Sequence, residues 1–84
     1  MKVTTTSGAT YLIDHGICKK YSAAGELIDT FKVYGIKPYN VPTTVGEIWE
    51  LPNGKPEVGM CMFIWGREAS WHTTPVVSIE GEQK

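Results

Sequence analysis

An all-β domain, built as a small and partly open barrel, is the fold this sequence predicts, and three observations predict it. Runs of β-branched and aromatic residues recur at short intervals, each bounded by Gly, Pro, Asn or Ser. No apolar repeat at helical spacing is long enough to make a stable helix. The chain has 84 residues, which leaves room for one core. Short strands in so small a domain suit an SH3-like barrel first and an OB-like barrel second. A two-sheet immunoglobulin sandwich usually needs about 100 residues.

The elements follow in order. Val3-Thr4-Thr5-Thr6 and Thr10-Tyr11-Leu12-Ile13 are strand-forming runs around the turn signal Ser7-Gly8, so they read as a β-hairpin. Asp14-His15-Gly16 punctuates the chain before Ile17-Cys18-Lys19-Lys20-Tyr21, whose charged middle suits a partly exposed strand. A turn at Ser22-Ala23-Ala24-Gly25 leads into residues 27–34. There Leu27, Asp29, Phe31 and Val33 share one face, and Ile28, Thr30, Lys32 and Tyr34 share the other. Residues 35–46 contain Pro38, Asn40 and Pro42 and read as the longest loop.

Glu47-Ile48-Trp49-Glu50-Leu51 alternates and reads as a strand, closed by the turn Pro52-Asn53-Gly54. The most apolar run, Met60-Cys61-Met62-Phe63-Ile64-Trp65, has the length of a buried strand and is far too short to span a bilayer. After a polar loop of residues 66–70, residues 71–79 read as an extended last strand with Pro75 at an edge or bulge. The expected domain is residues 1–79, with a polar tail over residues 80–84. Tyr11, Phe31, Phe63 and Trp49 are the aromatic residues expected inside.

Composition narrows the function classes. Eight Lys and Arg against nine Asp and Glu give a net charge of −1, without the basic footprint that nucleic-acid wrapping requires. The first residues lack the apolar run of a secretory signal, so the expected location is cytoplasmic, with no membrane partner. In that compartment Cys18 and Cys61 are expected as free thiols.

The two ends of the chain, Val-Thr-Thr-Thr-Ser-Gly-Ala-Thr-Tyr-Leu-Ile-Asp and Thr-Thr-Pro-Val-Val-Ser-Ile-Glu, resemble those of small accessory proteins of actinobacterial phages. The resemblance covers the terminal thirds. It implies a viral origin, a place in the host cytoplasm and a host protein as partner, and it carries over no site residues.

Candidate sites are few. His15 and Cys18 have a spacing that zinc ligands use, but Cys61 and His72 do not form a matching second pair, so no metal or other cofactor is expected. His15 and His72, the two histidines that could serve as a general base, stand in no catalytic motif, and the chain is not expected to be an enzyme. Gly54-Lys55 and Gly66-Arg67 lack the Gly-rich loop and helix that cradle a phosphate.

Three tryptophans and four tyrosines are the informative content. Trp65, Arg67, Trp71 and His72 flank one polar loop with the composition of an interaction hot spot, and Tyr39 in the long loop joins them as a candidate. The leading expectation is therefore a non-enzymatic module that binds another protein. The alternatives are a homo-oligomer that pairs an edge strand, at residues 17–21 or 73–77, and a single-stranded nucleic-acid binder on an OB-like barrel.

Overall fold

The structure is a computed structural model that describes residues 1–67 and 69–81. Its strands are β1 (Lys2–Thr5), β2 (Thr10–Asp14), β3 (Ile17–Tyr21), β4 (Leu27–Tyr39), β5 (Cys61–Gly66), β6 (Ser70–His72) and β7 (Val76–Glu80), with one short helix, α1 (Val45–Glu50), between β4 and β5. The expected all-β, partly open barrel is what forms: one sheet in the order β6-β5-β4-β3-β2-β1-β7, paired antiparallel throughout.

Local chemistry sets the hairpins. His15 and Gly16 join β2 to β3 with φ of 48° and 74°, the left-handed pair that matches the twist of flanking strands. Gly25, at φ 87°, closes the β3–β4 turn, where its N–H donates to the Ser22 carbonyl at 2.9 Å. From Ile28 to Tyr34 the expected alternation holds, while Leu27, expected on the covered face, is exposed at the strand's start. Ile28, Thr30, Lys32 and Tyr34 are exposed, while Asp29, Phe31 and Val33 are partly covered.

Three expectations need correction. Residues 35–39 belong to β4 and not to a loop: Ile36, Lys37, Pro38 and Tyr39 pair with Ile64, Phe63, Met62 and Cys61. Proline is tolerated there because β4 has β5 on one side only at this point, so a missing N–H need break no ladder. Residues 47–51 are not a strand. Thr44 caps α1, its side chain accepting from the Glu47 N–H at 3.3 Å, and Ile48 is the buried residue of that helix. The expected last strand is divided into β6 and β7, and its middle residues change partner from β5 to β1.

That exchange curls the sheet. β6 and β7 lie at opposite ends of the strand order, yet only residues 73–75 connect them. In a flat sheet the outer strands would be ~29 Å apart, whereas the chain from residue 72 to residue 76 reaches at most ~15 Å. The sheet must roll up. The Thr73 N–H donates to the Met62 carbonyl at 3.0 Å, Val76 N–H to Met60 at 2.9 Å and Gly59 N–H to Val76 at 2.8 Å, and a short parallel bridge between Val58 and Val76 ties β7 to the segment that leads into β5. β3 is an interior strand, paired with β2 on one side and β4 on the other, so residues 17–21 offer no edge. Glu80, assigned to the tail, ends β7 opposite Lys2, and residues 82–84 lie outside the described residues.

Two apolar clusters form on the two faces of β5. Met62 and Ile64 point into the barrel with Val3, Tyr11, Cys18, Ile36 and Val76. Cys61 and Phe63 point outward and are covered by Ile48 of α1, with Tyr39 beside them. The cysteines, both free thiols, are thus in different clusters.

Two glycines, one in the β4–β5 pairing and one in α1, test this geometry. A Cβ on Gly66 would overlap the Lys32 carbonyl oxygen, so Gly66→Ala should part β4 from β5 and cost about 3 kcal/mol or more in urea unfolding. Gly46, in α1, has open space at its Cβ position. Gly46→Ala should raise stability by roughly 0.5–1 kcal/mol in the same assay.

Candidate functional site

The pleat of β6 separates residues that the sequence grouped together. Trp71 pairs with Ile64 and points into the barrel, whereas His72 pairs with Phe63 and points outward. Trp71 stacks on Phe31 with ring centroids 5.5 Å apart, and the Lys20 ammonium lies 4.4 Å from its ring centre. Its indole nitrogen is buried with no acceptor among the described residues. Trp71 therefore fills the mouth of the barrel, and it does not join Trp65 and His72 on one surface.

The outer face carries a continuous aromatic group. Trp65 sits between Tyr34 and Trp49, at centroid distances of 5.7 and 6.0 Å and interplanar angles of 79° and 62°. Trp49 meets Phe63 at 4.8 Å, Phe63 meets His72 at 4.8 Å, and His72 meets Tyr39 at 6.1 Å. Tyr34 and Trp49 are 52% and 51% exposed, so half of each ring is open to solvent. Trp49, expected inside, is instead on the outside of α1, because a helix sends Ile48 and Trp49 about 100° apart where a strand would send them to opposite faces.

Polar contacts hold this face in place. The Trp65 indole N–H donates to Asn53 Oδ1 at 3.0 Å. Gly35, opposite Trp65 in the sheet, leaves the space that the Asn53 amide occupies. Tyr39 is buried, not displayed, and its hydroxyl lies 3.3 Å from His72 Nδ1. Burial first, and then Cys61 beside it, raise the pKa of the Tyr39 phenol. Lys37, also buried, donates from its ammonium to the Leu51 carbonyl at the end of α1, where a cation complements the helix terminus. Arg67 is exposed in the β5–β6 turn.

Of the five candidates, Trp65 and His72 share the aromatic face and Tyr39 supports it from beneath. Tyr34 is exposed on the β4 face where its alternation put it, and Trp49, expected inside, is the surface residue that sequence reasoning missed. One signal could have found Trp49: Thr44-Val45-Gly46-Glu47 has the spacing of a helix capping box, and a helix starting there exposes residue 49. No group of three or more His, Cys, Asp and Glu side chains that could hold a metal occurs among the described residues. No helix among them is long and apolar enough to cross a membrane.

Two measurements check these placements. Trp71→Ala should cost about 3 kcal/mol in thermal or urea unfolding, whereas Trp49→Ala should cost about 1 kcal/mol, because only part of its ring is covered. The second concerns Cys18, whose thiol burial pushes up to about 12 from 9.0. The folded state then holds its proton where the unfolded chain loses it, so this contribution to stability is complete below pH 9 and is lost as pH rises toward 12. Burial raises Tyr11 in the same direction. Urea midpoints should fall between pH 9 and 11, and Cys18→Ala should make that fall shallower.

No family model matches this chain, and no curated protein or solved structure is significantly similar to it.

Proposed function

We propose that this domain is a non-enzymatic protein-binding module and that it binds through the outer aromatic face of Tyr34, Trp49, Trp65 and His72. The observation that carries this reading is the half-exposed pair Tyr34 and Trp49, held against Trp65 by a fixed set of ring contacts. Large aromatic residues with few rotatable bonds supply contact area at low entropic cost and dominate the energetics of protein interfaces. The face is also preordered, since Asn53 fixes the Trp65 ring and Ile48 anchors α1 beneath Trp49. A preordered surface loses little freedom on binding.

Exposed Val45 extends the apolar surface along α1, one helical turn from Trp49. Arg67 and His72 are the residues of the expected hot spot that are exposed, Arg67 on the β5–β6 turn and His72 on β6. If the resemblance of the chain's ends to phage accessory proteins reflects descent, the partner is a host protein.

The test is affinity capture with three forms of the chain. The wild type should retain a specific protein that the Tyr34→Ala/Trp49→Ala form loses at least ~30-fold in affinity, as expected for two hot-spot residues at about 1 kcal/mol or more each. A form with Leu12→Ser, on the far side of the sheet, should retain it unchanged. Equal retention by all three folded forms would remove the aromatic face from the interaction.

A further inference from the structure

We infer that the outer face of β1, β2 and β3 around Leu12 is a second binding surface, and that it takes an acidic peptide segment of a partner protein with one aliphatic side chain among its carboxylates. This surface shares no residue with the aromatic face and does not depend on it.

The first argument is register. Val3, Tyr11 and Cys18 point into the barrel, so the residues that alternate with them, Lys2, Leu12 and Lys19, point outward. Those three stand side by side across the sheet, because Lys2 pairs with Leu12 and Leu12 with Lys19. The row continues from Lys19 to Thr30, and two residues along β3 the exposed Lys32 of β4 faces Ile17. An exposed leucine is thus flanked by two lysines, with a third as the diagonal neighbour of Lys19.

The second argument is shape. Leu12 stands between two open hollows of about 490 and 430 Å³. Leu12, Ile13 and Ile17 give the first its apolar lining, with Lys19 beside them. Lys2, Thr10 and Tyr21 line the second. Hollows of this size and lining receive apolar groups, and the few polar groups beside them choose which.

The third argument is charge. The Asp14 carboxylate lies 3.5 Å from His15 Nε2 and that of Glu80 lies 3.8 Å from Lys2 Nζ, so each acidic residue on this face already has a neighbour. Asp29 belongs to the inward face of β4, where it pairs with Lys20, and Glu26 is in the β3–β4 turn, at the other end of that hairpin from Ile17 and Lys32. Lys19 and Lys32 form no ion pair among the described residues. An uncharged apolar segment laid on Leu12 would strip water from these ammonium groups without replacing it, whereas carboxylates on the segment compensate them. Nucleic acid fits less well. Single-strand binding uses successive rings for stacking, and Tyr21 is the one tyrosine, phenylalanine or tryptophan lining either hollow among the described residues.

The experiment titrates the full ¹⁵N-labelled chain with acetyl-Glu-Glu-Leu-Glu-Glu-amide, with the same peptide carrying Gln for every Glu, and with the same peptide carrying Gly for Leu. The first should give saturable shifts at the backbone amides of Leu12, Ile17 and Lys19 and leave the indole N–H signals of Trp49 and Trp65 in place. Each control peptide should bind at least ~3-fold more weakly. Lys19→Gln/Lys32→Gln, at two exposed positions, should weaken the acidic peptide at least ~3-fold, whereas the Tyr34→Ala/Trp49→Ala form should bind it as the wild type does. Equal affinity for the Glu and Gln peptides, equal affinity for the Leu and Gly peptides, or no saturable shift at these amides would each overturn the inference. So would an octathymidylate that shifts the same amides at lower concentration than the peptide, which would assign the face to nucleic acid. Shifts of these amides on raising the concentration of the chain alone would overturn it in favour of a second copy. None of these outcomes bears on Tyr34 and Trp49, so the aromatic face stands or falls by its own capture experiment.

Discussion

The whole architecture depends on a connection too short for a flat sheet. Residues 73–75 carry the chain from β6, at one end of the strand order, to β7 at the other, so the sheet has to curl until those ends lie within reach of three residues. Thr73 makes the junction workable. Its N–H donates to the Met62 carbonyl, its hydroxyl accepts from the Met62 N–H at 2.9 Å, and the same hydroxyl donates to the Thr74 carbonyl at 2.9 Å. These bonds pair the Met62 N–H and carbonyl, which would otherwise cost free energy comparable to lost hydrogen bonds. Pro75 then turns the path where no N–H is needed, and Val76 enters both the bridge and the interior cluster.

Curling gives β5 its two different environments. Its inward residues, Met62 and Ile64, are fully buried in the barrel, and its outward residues, Cys61 and Phe63, would lie on the solvent face of an ordinary barrel. A continuous apolar run needs cover on both sides. Six residues of helix supply that cover, with Ile48 as the contact and the Thr44 cap fixing where the helix begins. The aromatic face is a by-product of this arrangement. α1 is too short to cover β5 completely, so Trp49 reaches over Phe63 and Trp65 with one side of its ring and leaves the other in water.

The polar groups under this helix follow the same logic. Lys37 belongs to the outward face of β4 opposite Phe63, which α1 has covered, and its side-chain nitrogen donates to the carbonyl of Leu51, the residue that caps that helix. Asn53 bonds Trp65 across a gap that only a residue without a side chain at position 35 permits. Each contact ties the segment between α1 and β5 to the sheet, so the positions of Trp49 and Trp65 are coupled to the ordering of a loop whose sequence looks like plain turn.

The sequence by itself determined the class of the fold, the hairpins and most strand faces. Period-two patterning and left-handed turn positions are local properties, legible at Leu27 to Tyr34 and at His15-Gly16 without knowledge of any partner. It did not determine α1, because Glu47 to Leu51 alternates well enough to pass for a strand and six residues are too few for a helical period to emerge. Nor did it determine the surface. Trp65, Trp71 and His72 are close in sequence, but whether neighbours in a strand share a face depends on register, and register is fixed by non-local pairing. Pairing Trp71 with Ile64 and His72 with Phe63 sent one tryptophan into the barrel mouth and left its neighbour on the outside, beside aromatic residues contributed by β4 and α1.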